Sequence, residues 1–116
     1  MSAVTCLYFS SDSGRTPAEE FIRSLDLRTR LKFFSVRSLL EEWGHRLPMP
    51  HAKYLRDGIF ELRFGGAEGA VRVLYFFFDR YKAILTNGFI KKSNKTPRTE
   101  IETAVQRRRQ YLERMR

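Results

Sequence analysis

Three apolar runs joined by very short links constrain the fold of this chain more than any other feature. They span about Ile59–Phe64, Ala70–Phe78 and Ala83–Phe89. Gly65-Gly66-Ala67-Glu68-Gly69 joins the first two, and Asp79-Arg80-Tyr81-Lys82 joins the last two. Links this short cannot carry a crossover, so the runs predict an antiparallel meander. Val71 to Phe78 is apolar on both faces, which predicts a central strand.

The flanking segments supply helices. Ala3–Phe9 reads as a first strand, followed by a polar turn through Arg15. Thr16-Pro17-Ala18-Glu19 carries a helix start, with Thr as N-cap and Pro at the first position. That helix is short and ends near Asp26. Asp26 can cap a second helix that runs to about Trp43 and stops at Gly44. Phe33, Val36, Leu39, Leu40 and Trp43 share one face of it, and Leu27, Leu31 and Phe34 share another. A helix apolar on two sides predicts one sandwiched between the sheet and a second element. Leu47–His51 is a proline-interrupted loop. Pro97 opens a last helix to about Met115, whose apolar stripe includes Arg108. The order β-α-α-β-β-β-α predicts a single α+β domain over residues 1–116. Its antiparallel sheet is expected to be packed by helices on one face, leaving the other for a partner.

Charge narrows the functional classes. Arg63 and Arg72 lie inside strand-like runs, and Lys91 and Lys92 follow the third run directly. A charge inside a strand is costly unless it is paired or hydrated. Cations converging from adjacent strands make a phosphate site. If Arg63 lies opposite Arg72, both side chains emerge on one face and repel by up to about 1 kcal/mol. A bound anion would offset that repulsion. Neutralisation by Glu61 or Asp57, or a one-residue slip in register, would remove the need for one. Lys91 and Lys92 alternate in direction, so one of them should point towards the arginines. Lys53 and Arg56 could line the rim, and His51 is an acid or base candidate as well as a possible surface-loop residue. Tyr54, Tyr75 and Phe89 could stack on bases, whereas Phe76, Phe77 and Phe78 read as core.

The formal net charge of +9 favours a polyanionic partner. From Lys91 onward there are nine Lys or Arg against three Glu, a surplus of six. One cysteine, Cys6, excludes an internal disulfide and fits a reducing cytoplasm. One cysteine, two histidines and scattered carboxylates lack metal-ligand spacing, so no metal and no cofactor is expected. The amino-terminal residues lack the pattern of a secretory leader, and no apolar run approaches a membrane span, so no membrane association is expected.

Several stretches together form a more specific pattern: Lys53-x-Leu55, Gly58-Ile-Phe-Glu-Leu-Arg63, Arg72-Val-Leu-Tyr75, Gly88-Phe-Ile-Lys-Lys92 and Lys95-Thr-Pro97. On these the chain resembles the RelE/HigB-type toxins of bacterial type II toxin–antitoxin systems, in the phage-derived HigB-like branch. The resemblance covers about Val4 to Tyr111. It implies a microbial-ribonuclease-like fold, metal-free mRNA cleavage on the translating ribosome, and inhibition by a cognate antitoxin protein. By the same resemblance Arg72 matches the arginine at the scissile phosphate. Arg63 matches a basic position on the preceding strand, and Lys91 or Lys92 the basic position ending the last strand. Lys53, Arg56, Tyr75, Phe89 and Lys95 are then the expected substrate contacts. RelE-like members carry a tyrosine shortly after the last basic position, and this chain does not. Lys92, His51 and Lys53 are the available bases. The competing reading is a non-catalytic RNA-binding or antitoxin-binding module.

Overall fold

The computed structural model describes residues 2–116. Its elements are β1 (Thr5–Tyr8), α1 (Pro17–Ser24), α2 (Leu27–Trp43), β2 (Ala52–Arg56), β3 (Ile59–Gly66), β4 (Gly69–Phe78), β5 (Lys82–Lys91) and α3 (Arg98–Arg114). They build an α+β domain around one five-stranded sheet in the order β1-β5-β4-β3-β2. The predicted meander is β3-β4-β5, antiparallel throughout, with β4 at the centre.

Two strands depart from expectation. The sequence assigns no element between the loop ending at His51 and the strand from Ile59, yet Ala52–Arg56 pairs antiparallel with β3 as an edge strand, β2. Only Ala52 of its five residues is buried, so it lacks an apolar alternation to betray it. β1 pairs parallel to β5, which makes the sheet mixed. The long stretch through α1 and α2 allows this, because it carries the chain from the β1 edge to the β2 edge.

Local chemistry sets the helix limits. Asp26 accepts from the Thr29 backbone N–H at 3.2 Å and caps α2. Gly44 ends α2 with φ of 56°, a conformation glycine adopts without strain. Phe33 and Leu40 of α2 are fully buried against the sheet. Each contributes about 1.5–3 kcal/mol on burial.

Side-chain alternation divides the core. Leu62, Phe64, Val71, Val73, Tyr75 and Leu85 pack beneath α1 and α2. Ile59, Leu74, Phe76, Ile84 and Phe89 pack on the reverse face with Ala104, Val105 and Tyr111 of α3. The expected one-face packing therefore describes α1 and α2, while α3 lies across part of the reverse face. Near Gly88 the α1 side is very close: a Cβ there would collide with the Phe21 ring.

One irregularity in the sheet matters for the site. Leu74 pairs with Asn87 but Tyr75 pairs with Leu85, so Thr86 is an extra residue in β5. Its hydroxyl donates to the Leu74 carbonyl at 3.2 Å. A bulge of this kind flips every later side chain to the other face. Phe89 and Lys91 thereby join Arg72 on the reverse face.

Candidate functional site

Arg63 lies directly opposite Arg72, and Phe89 lies opposite Arg72 on its other side. Lys91 pairs with Ala70, two residues along from Arg72, and so shares its face. Lys53 pairs with Glu61, two residues along from Arg63. Four strands thus bring Lys53, Arg63, Arg72 and Lys91 to one face, beside the region that α3 covers.

Glu61 lies in the middle of these cations. It is almost wholly buried. Its Oε1 sits 3.5 Å from Arg72 Nε and 3.7 Å from Arg63 Nε. Its Oε2 accepts from the hydroxyl of Thr96, in the segment between β5 and α3. Neutralisation by Glu61, one of the readings open from the sequence, is therefore real but incomplete. One carboxylate faces four cations.

The arginines are held differently. Arg72 is 7% exposed, and its Nη1 donates to the Val71 carbonyl at 2.9 Å. Its Nε is buried and makes no hydrogen bond. Burial, and then the charge of Arg63, lower its pKa, against the opposing pull of Glu61. Arg63 is more open, with Nη1 3.0 Å from the Met49 sulfur. Lys91 also has a lowered pKa. Partial burial is the main cause, followed by Arg72, with Arg63 and Lys53 adding and Glu61 opposing.

The arginine pair separates two adjoining clefts. One, of about 540 Å³, runs towards α2 and is lined by Lys32, Ser35, His51, Arg63 and Arg72 among others. The other, of about 440 Å³, is lined by Arg63, Ala70, Arg72, Lys91, Lys92, Ser93 and Asn94. His51 is anchored through its backbone, its carbonyl accepting from Arg63 N–H at 2.8 Å. Among the described residues no group of three or more His, Cys, Asp or Glu is placed to hold a metal ion. Among the described residues no helix is long and apolar enough to cross a membrane.

Other expected contacts lie elsewhere. Tyr75 is 1% exposed and packs on the α1–α2 face against Phe60 and Phe77, so it is a core residue and cannot stack on a base. Tyr54 pairs with Phe60 and shares that opposite face. Phe89 is on the cation face but mostly buried, where it floors the site. Arg56 is ion-paired with Asp57 at 2.6 Å at the far end of β2. Lys95 is exposed in the β5–α3 segment and lines neither cleft. Lys32, Glu61 and Thr96 were not selected as site residues from the sequence. Lys32 and Thr96 lie on other elements, and no local pattern marks them.

This combination defines an α+β protein with a cluster of cations on the part of its sheet that α3 leaves open. The chain belongs to the family described as "Phage derived protein Gp49-like (DUF891)", whose model matches residues 20–109. It is 42% identical over 57 residues to "Probable endoribonuclease HigB1" of Mycobacterium tuberculosis strain CDC 1551 / Oshkosh. The same holds for the protein so described in strain ATCC 25618 / H37Rv. The match covers 49% of this chain and 45% of each relative, so the chain spans about half the length of the curated relatives it matches. The HigB-like resemblance read from the sequence agrees with this family and these relatives.

Proposed function

We propose that this protein is the toxin of a type II toxin–antitoxin system and cleaves mRNA on the translating ribosome. The observation that carries this reading is the convergence of Lys53, Arg63, Arg72 and Lys91 around the single carboxylate Glu61. The family and the relatives described as probable endoribonucleases support it. A small antitoxin is the partner that this reading implies.

The chemistry needs few groups. A ribose 2′-OH attacks the adjacent phosphorus, and its proton passes to a base. The P–O5′ bond breaks, leaving a cyclic phosphate and a 5′ oxyanion that takes up a proton to become a 5′-OH. Arg72 and Arg63 stabilise the charge that builds on the phosphorane oxygens, because guanidinium stays protonated and forks onto phosphate. Lys91, with its lowered pKa, is the proposed base. Lys92 lines the cleft beside Lys91, and His51 lines the one on the α2 side of the arginine pair. Glu61 holds the arginines and does not touch substrate.

Induction of the protein in bacteria tests this directly. Growth should arrest, and primer extension should show mRNA cuts that vanish when translation is blocked. Cleavage should persist in excess EDTA in an assay that needs no ribosome, or once the magnesium the ribosome requires is restored. Intact transcripts despite RNA retention by the purified protein would instead establish a non-catalytic RNA-binding module.

A further inference from the structure

The fold uses only one of the two apolar sides of α2. Thr29, Phe33, Val36 and Leu40 are buried against the sheet. Leu27, Leu31 and Phe34 recur at i, i+4 and i+7 on the opposite side and are 64%, 57% and 47% exposed. At 3.6 residues per turn these three form one stripe. The sequence predicted a second layer over this side of the helix. No described element of the chain provides it.

The charges beside the stripe indicate what does. Arg28 and Arg30 lie in the first turn of α2, on either side of it, and that turn holds no acidic residue. Two cations therefore sit at the positive end of the helix dipole, an arrangement that carboxylates from outside would relieve. The local carboxylate, Asp26, is engaged with the backbone and hydroxyl of Thr29. Neither arginine has an ion-pair partner among the described residues. Arg30 Nε is also buried without a hydrogen bond.

We propose that the outer side of α2 is a docking surface for an acidic amphipathic helix of a second protein. Apolar side chains of that helix cover Leu27, Leu31 and Phe34, and flanking Asp or Glu face Arg28 and Arg30. A second copy of this chain fits poorly, because it would bring two molecules of charge +9 together. An anionic membrane fits poorly too, because Glu41 and Glu42 follow at the other end of the helix. The surface shares no residue with the arginine cluster, so the proposal does not depend on RNA cleavage.

The test uses the full chain and a fluorescent helical peptide with Leu at i, i+4 and i+7 flanked by Glu. A matched peptide carries Lys in place of Glu. Anisotropy should show the Glu peptide binding roughly tenfold or more tightly than the Lys peptide. The double variant Leu31→Ser/Phe34→Ser should weaken binding by roughly tenfold or more. Arg28→Glu/Arg30→Glu should do the same. Arg28, Leu31 and Phe34 are exposed and Arg30 is half-buried, and circular dichroism melts check that these variants fold. Arg63→Ala/Arg72→Ala should leave binding unchanged. Loss of binding in that last variant would place the peptide in the basic cleft and overturn the proposal. Equal binding of the two peptides, or none of either, would also overturn it. So would a dimer abolished by Leu31→Ser/Phe34→Ser, or capture by phosphatidylserine vesicles through the same residues.

Discussion

Two side chains, Glu61 and Lys91, decide how the cation cluster behaves. Glu61 is buried between two arginines and tied to Thr96, so removing its charge leaves Arg72 buried with no counter-charge. Glu61→Gln should therefore destabilise the protein by on the order of 1–3 kcal/mol, read from the urea midpoint. An unchanged midpoint would mean that the 3.5 and 3.7 Å pairs carry no net stability. Lys91 makes a prediction in pH. A base must be neutral, and the neutral fraction of a lysine grows as pH rises. Burial and neighbouring cations lower the pKa of Lys91, so cleavage should rise with pH and level off below the ordinary lysine value of about 10.4. Lys91→Arg should abolish that limb, and Lys92→Arg should leave it. A limb that survives in Lys91→Arg would move the base elsewhere. The sequence could not choose between the two lysines. Simple alternation from Tyr75 and Leu85 would have turned Lys92 towards Arg72, and only the extra residue at Thr86 turns Lys91 there. The buried side of Tyr75 was equally hidden, because a strand apolar on both faces does not say which face a tyrosine takes.

At the scale of elements, the meander was legible because its links are short and its runs long. Edge strands were not. β2 has one buried residue, and its pairing is set by β3 rather than by its own pattern. The parallel pairing of β1 is a long-range contact with β5, whose register no local spacing encodes. Both apolar sides of α2 were visible, but the sequence could not say that one would remain uncovered. α1 meets the sheet at Gly88, where the Phe21 ring occupies the space of a side chain. Gly88→Ala should thus destabilise by on the order of 1–3 kcal/mol through overpacking. Truncating the ring in the double variant Phe21→Ala/Gly88→Ala should recover much of that specific clash, giving a coupling energy in a double-mutant cycle. Additive effects of the two changes would show that the ring moves aside freely. The site should feel this change only indirectly, since Gly88 faces α1 and the cations face away from it.

For the molecule as a whole, the question is whether its surplus of positive charge acts diffusely or through one site. The net charge of +9 would draw RNA to many surfaces, and six of those charges come from Lys91 onward. The structure divides that surplus. Lys91 and Lys92 line the cleft beside Arg63 and Arg72, whereas Arg107 reaches the Thr86 carbonyl and Arg114 pairs with Asp12. Salt separates the two possibilities, because each phosphate neutralised on single-stranded RNA contributes about −0.7 to the slope of log K against log salt. A site built from three or four cations predicts a slope of about −2 to −3. The measurement calls for a short 2′-O-methyl RNA, which has no free hydroxyl to attack and so reports binding alone. Arg72→Ala should make the slope shallower by about 0.7, and Lys91→Ala should do likewise. Arg109→Ala and Arg116→Ala should leave it nearly unchanged, as both lie on or beyond α3, away from the clefts beside the arginine pair. The opposite pattern, with the slope falling for the α3 variants and holding for Arg72→Ala, would put the RNA on the helix. The cation cluster would then be a structural ion-pair network around Glu61, and the cleavage proposal would lose its geometric basis.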